Sequence, residues 1–457
     1  MSDILFQYHK VDPTTWVYLS SLLTIGLFFK FSRLLSVRNL DLIGLILLAP
    51  GLLLVEYGVA KELRGIEQAG YVWLFVVSGC FLVRLLLDPL MVRRPLLEPN
   101  LSVGGMTFIG TSLLVFLLAN VINSKLTADD LAGARKAQQV SHLESPAPED
   151  NSLTRHGPGY PLLHLLPVIS TQMLFVDDTP RQTPQEREAR RDVVLMATTR
   201  TMAILGHMAV VIGMVLIGFR HFDNIRTGIA AATLYLMLPY TAQMTGRVEH
   251  VLPAALLIWA VETYRRPLVA GALMGLAISC NYFPLFLLPL WFSFYWHRGL
   301  LRFGAGVLAT LLLMVVSLIF TSDSAHMFFE QVRQMFGMKS AMLFFQNEPD
   351  GFWAFGLIAP YYRIPVFFAF LAMCLSLALW PAQKNLGTLM SCSAAVMLGT
   401  QFWQAQGGGL HMGWYLPLTL LTIFRPNLED RVALSVLGEG WRIRRPPLAG
   451  AGVDRAA

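Results

Sequence analysis

Apolar stretches of roughly 17–25 residues, each long enough to cross about 30 Å of hydrocarbon, recur along nearly the whole chain. They start near Trp16, end near Phe424, and are interrupted at length by the mostly polar run from Asn123 to Asp192. In lipid such a segment must satisfy its own backbone donors and acceptors, which an α-helix does internally. The sequence therefore predicts an all-α, polytopic membrane protein with about thirteen transmembrane helices. Composition agrees. Of 457 residues, 55% are hydrophobic and 14% charged, and the mean hydropathy is +0.54, values a soluble domain rarely reaches.

Spans are expected at residues 16–31, 41–60, 71–92 and 104–122, and after the polar run at 193–219, 227–243, 249–263, 267–281, 283–296, 301–320, 362–380, 385–403 and 411–424. The first is followed by Lys30, Arg33 and Arg38 and not by a small-residue cleavage site, so it reads as a retained span. Alternate loops collect Arg93, Arg94, Arg220, Arg226, Arg265, Arg266, Arg298, Arg302, Lys384 and Arg425. An excess of Lys and Arg marks the cytoplasmic side. The polar run, the Gly246–His250 turn, the 322–361 loop and the Gln404–His411 turn then face the opposite, extracytoplasmic side. The chain divides into additional N-terminal helices (1–103), a transmembrane module (104–424) carrying the large loop 123–192, and a basic cytoplasmic tail (425–457).

The net charge of +6 and the pI near 9.2 are spread over short loops and the tail, a pattern of membrane topology and not of nucleic-acid binding. Cys80, Cys280, Cys374 and Cys392 fall inside apolar spans with no metal-type spacing, and read as free core residues. Within the large loop, Leu126 to Val140 has few helix breakers, and Tyr160 to Phe175 is apolar behind a Gly-Pro-Gly turn. Both are expected to be helical, the second as an interfacial or re-entrant helix on the outer surface. Ser141 to Thr154, rich in Pro, Glu, Asp and Ser, is expected to be a mobile loop.

Asp129 and Asp130 follow the fourth span by a few residues, near headgroup level. A carboxylate there can take the proton of an attacking sugar or lipid hydroxyl. Equally, Thr127 or Asp129 can cap a helix starting near Asp130. Arg200 lies inside an apolar span, where a guanidinium costs roughly 2.5–3.5 kcal/mol on insertion scales and calls for a partner or a polar cavity. A phosphate suits its planar fork, and snorkelling to the interface is the alternative. Arg247, Glu249 and His250 share a tight turn. Glu249 can join an aspartate on a divalent cation while Arg247 or His250 faces phosphate, or the turn is simply solvated. His411, Trp414 and Tyr415 open the last span, as a headgroup contact and as part of an aromatic belt. Gln346, Asn347 and Glu348 lie in the other long outer loop. Arg84 and Asp88, one helical turn apart, are expected to pair near the cytoplasmic end.

In order and topology these elements resemble the GT-C superfamily of polytopic glycosyltransferases, which take a sugar from a polyprenyl-phosphate lipid on the outer membrane face. In that pattern an acidic residue opens a long outer loop, as Asp129-Asp130 does here, and a His/Tyr-Pro-Pro-Leu element heads an interfacial helix. His156-Gly157-Pro158-Gly159-Tyr160-Pro161-Leu162 is a loose version of that element. Arg200 matches an arginine near the outer end of the next span, and Arg247-Val248-Glu249 a later outer turn. The stretch from Leu268 to Ala277 followed by Asn281-Tyr282-Phe283-Pro284 is similar to the Ala-Gly-x-x-x-Gly-Leu-Ala … Lys-x-x-Pro signature of the polyprenol-phosphate-mannose-dependent branch, with Asn281 in place of the lysine. The resemblance covers about residues 105 to 425, and three extra spans precede it.

The resemblance implies a membrane enzyme of a bacterial cytoplasmic membrane that moves a hexose, mannose above all, to a lipid, glycan or protein acceptor. It implies Asp130, Asp129 and Glu249 as catalytic groups, and Arg200, Arg247, His250 and Asn281 around the donor phosphate. His156, Tyr160, His411, Trp414 and Tyr415 would line the substrate, and Mg²⁺ or Mn²⁺ would sit between Asp130 and Glu249. A transporter or flippase of a lipid-linked sugar and a non-catalytic scaffold of the same fold are the competing readings.

Overall fold

A computed structural model describes residues 11–91, 97–124, 126–142, 157–175, 184–296, 299–322, 324–337, 351–356, 358–404 and 409–426. Among the described residues 83% are helical and none forms a strand. The helices are α1 (Pro13–Phe28), α2 (Val37–Ala60), α3 (Arg64–Leu87), α4 (Val103–Asn123), α5 (Ala128–His142), α6 (Gly159–Phe175), α7 (Pro184–Arg220), α8 (Ile225–Met237), α9 (Pro239–Gln243), α10 (Val248–Glu262), α11 (Pro267–Cys280), α12 (Leu288–Phe294), α13 (Leu300–Thr321), α14 (Ala325–Met335), α15 (Arg363–Leu379), α16 (Leu386–Trp403) and α17 (Leu416–Phe424).

Six of these are long and apolar enough to cross a membrane by length and composition: Val37–Ala60, Arg64–Leu90, Val103–Asn123, Arg191–Arg220, Leu300–Ile319 and Pro360–Leu379. The other stretches expected to span are shorter or interrupted. Pro239 ends α8 after 13 residues, because a proline ring biases the preceding residue away from helical backbone. Asn281 leaves α11 in extended conformation, and a 3₁₀ turn at Phe283–Leu287 precedes α12. A hydropathy count sees the apolar run and not the break. The two helices expected within the large loop are present as α5 and α6. Of the loop expected over 141–154, Ser141 and His142 belong instead to α5, and 143–154 lie outside the described residues. α7 extends N-terminal to the apolar run expected at 193–219, its first described residue being Pro184.

Two kinds of helix follow from the side chains they carry. Nearly every residue of α16 is buried, including Ser391, Ser393, Ala394, Ala395, Gly399 and Thr400, so this helix runs between α3, α15 and α17. α8 is buried in the same way beside α4, α7 and α17. By contrast α4 and α15 bury 22% of their apolar windows and α13 buries 28%. Phe108, Leu301, Leu313, Phe368 and Leu379 are left exposed, the outward apolar surface that lipid covers. Helix contacts in such a bundle rely on small residues. A Cβ on Gly271 would run into the Phe303 carbonyl oxygen, one on Gly306 into that of Leu268, and one on Gly275 would lie 3.0 Å from the Val307 carbonyl oxygen. The glycines of the 268–277 stretch therefore serve the α11–α13 contact.

At one end of the bundle the basic residues are paired. Arg84 bonds Asp41 at 2.8 Å and Asp88 at 2.9 Å, and Arg425 bonds the other oxygen of Asp88 at 2.7 Å. The expected Arg84–Asp88 pair is thus one edge of a larger network. Arg38 donates to the Ile423 carbonyl, Arg220 pairs with Glu262, and Arg226 donates to the carbonyls of Pro99 and Leu101. The Arg38–Ile423 and Arg425–Asp88 contacts, with the Phe28–Phe424 and Phe75–Phe402 ring pairs, fasten the first three helices to the C-terminal ones. All four cysteines are free, with Cys280, Cys374 and Cys392 buried.

Candidate functional site

The opposite end of the bundle gathers residues from five separate stretches. The first is the α4–α5 junction. The Thr127 carbonyl accepts the first bond of α5, from Leu131 N. Asp130 Oδ2 in turn accepts from Thr127 N at 2.8 Å and Thr127 Oγ1 at 2.7 Å. The carboxylate thus reaches back to the N–H at the helix entrance, one half of a capping box. Asp130 is 8% exposed, and among the described residues its Oδ1 takes no hydrogen bond. The backbone of Asp129 lies in the first turn of α5; its side chain lies outside what is described, as does His156.

The second stretch is the Gly-Pro-Gly turn. Gly157 N donates 3.1 Å to the Cys280 carbonyl, and a Cβ on Gly157 or Gly159 would run into Ser279. Only glycine lets the turn lie against the end of α11. It delivers Tyr160 into a buried cluster with Val121, Met202, Ala203, Val248, Leu252 and Cys280. Gly133 on α5 makes room for the rings of Tyr160 and His164. Burial, then the charges of Glu249 and Asp130, raise the Tyr160 phenol well above its ordinary range. It is therefore a neutral hydroxyl within electrostatic reach of both carboxylates.

Arg200 supplies the third. Its Nη2 donates 3.2 Å to the Ser124 carbonyl, while its buried Nε has no partner among the described residues. Ser124 also touches the 245–250 turn, since a Cβ on Gly246 would lie 2.9 Å from Ser124 Oγ. That turn is the fourth stretch. His207, buried in α7, holds it by accepting from or donating to Tyr235 Oη at 3.0 Å through Nδ1, and by donating 3.1 Å to the Thr245 carbonyl through Nε2. Arg247 precedes α10, half-buried, and Glu249 and His250 occupy its first turn.

The fifth is the start of the last helix. Trp414 Nε1 donates 3.0 Å to the Glu249 carbonyl, and the His411 ring stacks on His250 at 4.7 Å and lies tilted against Trp414 at 4.4 Å. Gln401 Oε1 accepts from Gly409 N and His411 N at 3.3 and 3.2 Å. Gly409, at φ +92°, adopts the left-handed backbone this turn needs. Trp414 and Tyr415 are each 1% exposed, so they are packed inside the bundle and not spread along its rim. Asn281 is tied locally, its Oδ1 accepting from Phe283 N at 3.4 Å.

Asp130, Tyr160, Arg200, Arg247, Glu249, His250 and His411, all singled out from the sequence, thus belong to one end of the fold. Gln346, Asn347 and Glu348 lie outside the described residues. His207, Tyr240 and Gln401 were missed. A histidine and a glutamine inside apolar stretches were the available signal. Asp130 and Glu249, expected to share Mg²⁺ or Mn²⁺, both lie within electrostatic reach of Tyr160. The group of metal-type donors among the described residues is Glu249, His250 and His411, and Asp130 Oδ2 is engaged by Thr127. Two imidazoles and one carboxylate are a poor set for hard cations, which take oxygen ligands. In comparisons with known proteins, no family model and no curated protein matches the chain.

Proposed function

We propose that the protein is an inverting membrane glycosyltransferase that moves a hexose, mannose above all, from a polyprenyl-phosphate donor to a lipid, glycan or protein acceptor. In this reading about thirteen segments cross a bacterial cytoplasmic membrane in a GT-C-like arrangement, and the end holding Tyr160 faces away from the cytoplasm. One observation carries it. Tyr160 lies within electrostatic reach of both Asp130 and Glu249, and Arg200 is anchored at Ser124, just before the Asp130 helix. Carboxylates and a guanidinium far apart in the chain thereby share one end of the bundle.

The acceptor hydroxyl attacks the anomeric carbon and passes its proton to Asp130, whose Oδ1 is the oxygen left by Thr127. As the bond from that carbon to the phosphate oxygen breaks, the sugar gains oxocarbenium character and the lipid phosphate leaves. Arg200 and Arg247 stabilise the charge developing on it. The neutral Tyr160 hydroxyl can donate to a sugar or phosphate oxygen, and Glu249 assists through a divalent cation or a hydrogen bond.

The test is incubation of the purified protein in vesicles with labelled polyprenyl-phosphate hexoses and membrane extract. Transfer of label to an acceptor supports the reading, and no transfer from any donor sinks it. One observation favours transport instead. Helices are interrupted at Leu238–Pro239 and at Asn281–Phe283, as in transporters built on discontinuous helices. Passage of an unaltered lipid-linked sugar across the same vesicles would establish that alternative.

A further inference from the structure

We propose that Glu249, His250 and His411 form a binding site for a borderline transition-metal ion, Zn²⁺ in the first instance. One ligand atom from each lies within 4.8 Å of the other two. His250 Nε2 and Glu249 Oε1 are 3.5 Å apart. Metal–ligand distances of about 2.0–2.2 Å in a tetrahedral site place neighbouring donors roughly 3.3–3.6 Å apart. Two of the three donors therefore already stand at coordination spacing, and the third, within 4.8 Å, reaches the same ion once the His411 ring turns out of its stack on His250.

The surroundings are those a metal site needs. His250 is buried and Tyr240 Oη lies 2.5 Å from its Nδ1, which orients the ring with Nε2 toward Glu249. A ligating histidine is characteristically held in this way through its other nitrogen. The Tyr240 hydroxyl is itself bonded by the Gly413 backbone. His411 is held by its main chain, through Gln401 Oε1. The two elements that carry the donors are locked together by the Trp414–Glu249 hydrogen bond and by Gly413, where a Cβ would lie 2.5 Å from the His250 carbonyl oxygen.

The donor set decides the class of ion. Two imidazoles and a carboxylate match three-ligand zinc sites, which keep a fourth position for water or a substrate oxygen. The partly exposed members are Glu249 and His411, so that position is reached from the solvent side. Metal binding here is read out directly and not through sugar transfer, so failure of one leaves the other standing.

The test uses full-length protein in detergent, stripped with a chelator and titrated with Co²⁺ and then Zn²⁺. Stoichiometric uptake of Co²⁺ with a tetrahedral absorption spectrum, displaced by Zn²⁺, is expected. His411→Gln and Glu249→Gln should abolish stoichiometric binding, and Tyr240→Phe should weaken it by about 10–100-fold. Thermal unfolding of each variant without metal establishes that it is folded. Absence of Co²⁺ and Zn²⁺ binding in the native protein overturns the assignment. So does binding that survives both ligand variants, or selective binding of Mg²⁺.

Discussion

The indole N–H of Trp414 donates 3.0 Å to the main-chain carbonyl of Glu249, across 165 positions of sequence. The bond joins the first turn of α10 to the entrance of α17 and so helps to place the carboxylate and the two histidines beside it. Trp414→Phe removes the donor and leaves that carbonyl unsatisfied, at a cost of about 1–3 kcal/mol. Thermal unfolding in detergent should show the loss, and an unchanged midpoint would mean the bond does not hold the two elements.

Asp130 has two roles that can be separated. Thr127→Val removes the hydroxyl at the start of α5 and should cost about 1 kcal/mol of stability, leaving transfer measurable. Asp130→Asn keeps an acceptor oxygen for Thr127 but cannot take a proton, and should lower transfer by about 10²–10⁴-fold. Transfer at the native rate in folded Asp130→Asn protein removes Asp130 as the base.

The Tyr160 phenol is pushed upward by burial and by Glu249 and Asp130. All three disfavour the phenolate, so at pH values up to the ordinary tyrosine range, about 10, Tyr160 stays protonated. The phenolate absorbance of native protein and of Tyr160→Phe should therefore rise together as pH is raised to that point. A difference between them below it would show Tyr160 ionising normally.

Asp88, fully buried between Arg84 and Arg425, is the centre of the ionic network at the far end. Asp88→Ala leaves the Arg425 guanidinium without its partner and should destabilise the protein by about 3–5 kcal/mol. Replacing both partners, Asp88→Leu with Arg425→Met, should recover part of that loss. Unfolding midpoints of the single and double variants make the comparison, and equal losses in both would refute it.

Gly306 sets the approach of α13 to α11, and Gly306→Leu should separate them. Overpacking of this kind costs about 1–3 kcal/mol or more. Lower yield and a lower unfolding midpoint are the readouts, with Gly304→Leu as control, since a Cβ at Gly304 meets only the Phe292 ring, at 3.9 Å.

The sequence by itself determined the class of fold and the residues to watch. Apolar run length carries helix and membrane directly, because each span satisfies its backbone alone. Asp130, Arg200 and Glu249 stood out because charge is costly next to hydrocarbon. Two local readings also survived: the capping of α5 near Thr127 and the Arg84–Asp88 pair, both made within one or two helical turns. What only the tertiary structure decided is which distant residues meet. His250 and His411 stack although 161 positions separate them, and nothing local in either stretch encodes that. The breaks at Pro239 and Asn281, the burial of Trp414 and Tyr415, and the use of Gly271 and Gly275 in helix contact were equally hidden. Hydropathy is summed over neighbours in sequence, whereas packing and a shared donor set depend on neighbours in space.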